Sequence, residues 1–204
     1  FSNGGIVGDI TMVSDVSIIG GTVGDVSFLN GGNYFSNGGI VGDITMVSDV
    51  SITGGTAGDV SFLNGGNFTA IGGSIGNIIN ASNVLIDSTV VGNVTLLGGG
   101  KYRTRAGTAG TILNANIIEV GASTNGGNSV GALVSKIEGD LTFSATLLVE
   151  VTGFSEGVSY GQLDVSGNAN IDGADLVLNV TGDDFFSHNE ALVLLKADSL
   201  ISDI

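Results

Sequence analysis

Residues 35–68 repeat residues 1–34 with three changes: Ile19 gives way to Thr53, Val23 to Ala57 and Tyr34 to Phe68. A period of this size demands an array, in which each unit buries its apolar face against the next. Helical repeats share the period, so the residues inside the unit must decide. Gly4, Gly5, Gly8, Gly20, Gly21, Gly24, Gly31 and Gly32 interrupt it every few positions, and each costs about 1 kcal/mol against Ala within a helix. Between them, β-branched and aromatic residues alternate with Ser, Thr and Asp, which is strand chemistry.

The unit divides again. A phrase of Asp or Asn, an apolar residue, Ser or Thr, and a second apolar residue recurs as Asp9–Met12, Asp15–Ile18 and Asp25–Phe28, and in the second copy as Asp43–Met46, Asp49–Ile52 and Asp59–Phe62. Strand alternation turns Ile10, Met12, Val26 and Phe28 toward a core and Asp9, Thr11, Asp25 and Ser27 toward water. A glycine precedes the phrase at Gly8, Gly24, Gly42, Gly58, Gly76, Gly92 and Gly110, in steps that alternate between 16 and 18. The alternation outlasts the identity between copies, with Asn77, Asn93 and Thr111 taking the place of Asp. The expected fold is therefore all-β: a parallel β-solenoid, either a right-handed β-helix or a flattened β-roll, over residues 1–120. Its coil length alternates with the glycines, one short and one long coil to each repeat. The Gly-Gly-x-x-Gly segments are expected to form corners, or a short third side, where positive φ is needed.

Composition excludes several classes. The 204 residues include no Cys, Pro or Trp, so no disulfide framework exists. Mean hydropathy is +0.45, yet no apolar run approaches the length of a membrane-spanning helix, about 20 residues. No such helix and no signal peptide is expected. The chain begins within a repeat at Phe1, which reads as a piece of a longer protein. Net charge is −15, and residues 1–100 contain Asp but no Glu, Lys or Arg. Binding to nucleic acid or insertion into a membrane is not expected, because phosphate neutralisation requires basic side chains.

Two constellations carry potential chemistry. Stacking places Asp9, Asp25, Asp43 and Asp59 in one column about 4.8 Å apart. Like charges at that spacing need relief, either from hydrogen bonds of the Asx type or from calcium bridging successive coils. No cofactor other than calcium is expected, and the Gly-Asp spacing departs from that of calcium-binding rolls. Lys101, Arg103 and Arg105 share one strand face by alternation, as a solvated patch balancing nearby acid or as a contact for anionic glycans. Asp87 with Arg103 and Arg105 is the set available to a β-helical polysaccharide lyase or glycoside hydrolase, the alternative to a non-enzymatic role. The glutamates are Glu119, Glu138, Glu150, Glu156 and Glu190, outside the repeated coils, and His188 is the only histidine. Neither set has the spacing of a two-carboxylate site or a nucleophilic triad.

Residues 121–136 break the register and are expected to form a loop. Residues 137–204 carry longer apolar runs and turn signals, and are expected to cap or extend the solenoid. Ile137–Phe143, Tyr160–Leu176 and Ala191–Ala197 resemble three phrases near the C-terminal end of autotransporter passenger domains and related giant bacterial adhesins: a Gly-Asp-Leu-Thr-Phe strand, a Leu-x-Val-x-Gly strand with its following turn, and a Leu-Leu-x-Ala strand. The resemblance spans about residues 137–200. It implies export to the bacterial cell surface and a rod-like extracellular passenger, and it supplies no catalytic residues to carry over. The expected function is a structural or adhesive rod whose partners are other copies of itself, neighbouring surface proteins or glycans, with end-to-end assembly into a filament as a variant.

Overall fold

A computed structural model of the chain describes residues 2–46, 48–121, 134–153, 160–180 and 191–201. Among these the structure is all-β, without helices, and its strands pair in parallel from coil to coil. One coil comprises three short runs, for example Val16–Ile19, Thr22–Val23 and Val26–Phe28. Each pairs with its counterpart one coil on: Val16 with Tyr34, Thr22 with Ile40, Val26 with Ile44. Three runs per coil is the organisation of a β-helix.

The third run shows the period directly. Ile10, Val26, Ile44, Val60, Ile78, Val94 and Ile112 are successive register partners, in the alternating short and long steps expected from the glycines. The two extra residues always lie at one corner. Residues 13–15 join the third run to the first in a short coil, and residues 29–33 do so in a long one. The longer turn lies over the shorter turn of the coil below. A Cβ on Gly32 would stand 2.9 Å from the Ser14 carbonyl, and one on Gly66 2.5 Å from the Ser48 carbonyl oxygen. Alternation of long and short turns thus lets bulky corners nest.

The inward side chains of all three runs form one core, including Val26, Ile44, Val60, Ile78, Val94 and Ile112 from the third run alone. Tyr34, Phe68 and Tyr102 fill the first run and are fully buried.

The described residues from Ile137 onward extend this solenoid. Ile112 pairs with Leu141, Leu141 with Ala169 and Ala169 with Leu200, so three further and longer coils follow in register. Their additional length falls between the first and second runs in each case, where residues 122–133, 154–159 and 181–190 lie outside the described set. The strand Val134–Ile137 already begins within the segment expected to be a loop, and pairs with Thr108–Ala109. The final coil does not close the core: Leu176 and Leu178, in inward register positions, are exposed among the described residues.

Candidate functional site

The aspartate column is a hydrogen-bonded ladder. The backbone N–H of Asp25 donates to Asp9 Oδ1 at 3.0 Å, that of Asp43 to Asp25 Oδ1 at 2.9 Å, and that of Asp59 to Asp43 Oδ1 at 2.8 Å. The series continues from Asn77 to Asp59 at 2.7 Å, Asn93 to Asn77 at 2.9 Å and Thr111 to Asn93 at 2.9 Å. It passes through Asp140 and Thr111 Oγ1 at 3.3 Å and ends with Asn168 and Asp140 Oδ1 at 2.8 Å. Each Asx side chain therefore caps the N–H that opens the third run of the next coil, a role closed to apolar residues.

The ladder also explains the glycine marker. Gly24, Gly42, Gly58, Gly76, Gly92 and Gly110 do not adopt positive φ, unlike Gly20 and Gly21 at 67° and 81°. A Cβ on Gly24, Gly42 or Gly58 would instead fall on the Oδ1 of Asp9, Asp25 or Asp43, and one on Gly92 would lie 2.7 Å from Asn77 Oδ1. The first glycines make the corner, whereas the third makes room for the side chain that locks it. Calcium requires six to eight oxygens. Here one oxygen of each carboxylate is already an N–H acceptor, and among the described residues no group of three or more His, Cys, Asp or Glu side chains is placed to hold a metal ion.

A second ladder runs along the adjoining corner. Asn33 Nδ2 donates to Asp15 Oδ1 at 3.2 Å, Asn67 Nδ2 to Asp49 Oδ1 at 2.9 Å, and Asn83 Nδ2 to Asn67 Oδ1 at 2.8 Å. The next position is Lys101, the register partner of Asn83.

Lys101, Arg103 and Arg105 do lie on one strand face, within Val94–Arg105. Lys101 Nζ pairs with Glu119 Oε2, which also accepts from Arg103 Nε at 3.1 Å. Arg105 faces Asp87 at 3.9 Å, and its Nε is buried without a hydrogen-bond partner. Glu119, itself buried, was not singled out as a partner from the sequence. The coil step points to it, since Arg103 plus one short coil is Glu119 and Asp87 plus one long coil is Arg105. Farther along, burial and the Glu119 carboxylate raise the Glu150 carboxyl above its usual range, partly offset by Arg105. The three cations thus sit among three carboxylates. Beside them is a shallow depression of about 320 Å³, lined by Asn67, Thr69, Asn83, Leu85, Lys101 and Arg103 from three successive coils. It presents amides, a hydroxyl and two cations that share one acid.

The structure does not bring Asp87 and Arg103 into one ion pair, since each has another partner. His188, Glu156 and Glu190 lie outside the described residues. No helix among the described residues is long and apolar enough to cross a membrane. No family model matches the chain, and neither a curated protein nor a solved structure shows significant similarity to it.

Proposed function

We propose that this chain is a structural and adhesive rod of an exported bacterial cell-surface protein. The observation that carries this reading is one core continued through ten coils, walled by parallel ladders and by side-chain ladders that tie each coil to the next. At about 4.8 Å per coil, the described residues make a stack about 48 Å long. Its outward Asn, Thr, Ser and Asp side chains offer hydrogen bonds to glycans or to neighbouring proteins. The likeness of residues 137–200 to autotransporter passengers supports the surface location. As a variant of this reading, a coil of another subunit added to the end of the stack would extend it into a filament. Electron microscopy of the purified chain over a concentration series tests the reading. Rods of uniform width, or filaments that lengthen with concentration, support it, and compact particles without an axis sink it.

The depression beside Arg103 favours one second reading, a β-helical polysaccharide lyase or glycoside hydrolase. In that case the chain would cleave an acidic glycan, and Arg103→Ala or Asp87→Asn would abolish cleavage. No product from a panel of uronate-containing polysaccharides would remove the enzyme.

A further inference from the structure

The acidic residues of the first coils are confined to one side. Asp9, Asp25, Asp43 and Asp59 stand before the third run, and Asp15 and Asp49 stand after it. The opposite edge, where the first run turns into the second through the Gly-Gly corner, carries no charge over the first five coils. Its outward column on the second run is Ile6, Thr22, Ile40, Thr56, Ser74 and Val90, each the register partner of the next. The column beside it on the first run contributes Ile19, Asn37, Thr53 and Ile71, and the next contributes Phe35. Ile6 is 88 % exposed, Ile40 56 % and Val90 51 %, and Phe35 is also exposed. Charge returns on this edge only from Asp87 onward, and on the second run as Lys136, Asp164 and Lys196.

From this segregation we propose that two copies of the chain pair side by side through the uncharged edge. The partner is argued from charge and size. A chain of net charge −15 repels its own copies wherever carboxylates meet, and this edge lets two rods approach with every Asp of the first four coils turned away. The other exposed apolar ridge, Val13, Leu29 and Leu63, is fenced by both aspartate columns. A column of β-branched residues, interrupted only by Ser74 and repeating every coil, is also complementary to itself under a two-fold axis. Five coils by three columns give roughly 500 Å² per partner at the usual strand spacings, below the ~800 Å² of a standard interface. The pairing is accordingly weak for this chain and grows with each further repeat unit, which adds two coils of the same edge. The inference rests on the coil geometry and holds whether or not the rod is adhesive.

Sedimentation equilibrium of the intact chain, from about 1 µM to about 1 mM, tests it. The weight-average mass is expected to rise from 20.3 kDa toward twice that value, more steeply at higher salt as repulsion is screened. Ile40→Lys and Ile40→Asp should each weaken the association about tenfold or more. They move net charge in opposite directions, so a shared loss cannot come from overall repulsion. Lysine fits this column in the fold, as Lys136 and Lys196 occupy it. Leu63→Lys should leave the association unchanged, and a chain with residues 35–68 inserted once more should associate more tightly. A monomeric mass at every concentration, an Ile40 variant that pairs normally, or loss of pairing in Leu63→Lys would each overturn the proposal.

Discussion

Asp25 and Gly42 belong to successive coils, and the carboxylate of the first fills the space that a side chain on the second would need. The bond it makes there, to the Asp43 N–H at 2.9 Å, is worth about 1 kcal/mol, as for a helix N-cap. Asp25→Ala should cost about that much, and Asp25→Asn almost nothing, because Asn77 and Asn93 do the same work in later coils. Gly42→Ala forces the carboxylate out and should cost about 2–3 kcal/mol. Chemical denaturation of the two single variants and the double variant should show a loss at least about 0.5 kcal/mol smaller than the sum. Relief is partial, since the Gly24 carbonyl carbon and the Asp25 nitrogen also stand 3.0 and 3.1 Å from the new Cβ. Full additivity would show that the two residues do not share the site. Tyr34 and Tyr102 mark the opposite case, a polar atom with no partner. Both phenol oxygens are buried and unbonded, while the hydroxyls of Ser36 and Thr104 donate to the Gly38 carbonyl and to Ser135. Phe68 occupies the place of Tyr34 in the second copy, so Tyr34→Phe and Tyr102→Phe should be neutral or stabilising by about 1 kcal/mol. Burial raises both phenols above their ordinary value of 10.0. The unfolded chain releases those protons first, so stability is intact below pH 10 and falls as pH rises beyond it. Thermal melts between pH 9 and 11.5 should show a shallower alkaline decline in the double Phe variant than in the parent.

At the scale of the element, the corners decide what the sequence makes legible. The alternating coil steps, the inward and outward faces and the shared face of Lys101, Arg103 and Arg105 follow from spacing alone, because a strand alternates by two and a stacked coil repeats by its own length. The continuation of the coil beyond Gly110 was harder to read. Its marker persists as Gly139-Asp140 and Gly167-Asn168, where a Cβ would again meet the polar side chain below. Insertions between the first and second runs lengthen the step, so that Asp140 follows Thr111 by 29 residues and Asn168 follows Asp140 by 28, against 16 or 18 before, which hides the period. The two kinds of glycine were also indistinguishable by sequence, as one answers to φ and the other to a neighbour that only stacking supplies. Where Gly-Gly is lost, Ser88 and Ala106 keep positive φ of 52° and 50° in the place of the first glycine. That position is open: nothing lies within 4 Å of a Cβ on Gly20, Gly38, Gly54 or Gly72. The strain of an L-residue there is about 1–2 kcal/mol, and glycine returns part of it as unfolded-state entropy. Ala106→Gly should therefore stabilise the fold by about 0.5–1 kcal/mol, measured by denaturant midpoint at unchanged slope. The aspartate ladder yields a further expectation at this scale. Calcium at millimolar concentration should raise the melting temperature no more than magnesium at equal ionic strength, and chelation should not lower it. A calcium-specific rise would mean that the outer carboxylate oxygens bridge successive coils after all.

For the whole molecule, the near-identity of the two copies has a mechanical meaning. Tyr34 and Phe68 hold equivalent places in the first run, pairing with Val50 and Val84 respectively one short coil on. Joining Tyr34 directly to Thr69 restores the Phe68–Thr69 junction with a single hydroxyl added. Each remaining coil keeps the partner type it had: a long turn still lies over a short one, and each Asx still meets the glycine and N–H of the coil above. Stability in such a stack is close to a sum of coil terms and interfaces between neighbours, so removing two interior coils subtracts their share and leaves the rest intact. A chain lacking residues 35–68 should fold, unfold cooperatively, and lose roughly one sixth of its denaturant slope in proportion to the surface removed. Its particles should be shorter by about 9.6 Å, two coil spacings, which small-angle scattering resolves as a fall in the longest dimension at constant cross-section. Deleting one long coil alone tests the same idea from the other side. It sets two short turns against each other and removes the nesting of Gly32 over Ser14 or of Gly66 over Ser48, so it should cost more stability than deleting the whole repeat, although it removes less chain. Equal or smaller damage from the shorter deletion would mean that the single coil, rather than the pair, is the unit in which this rod is assembled.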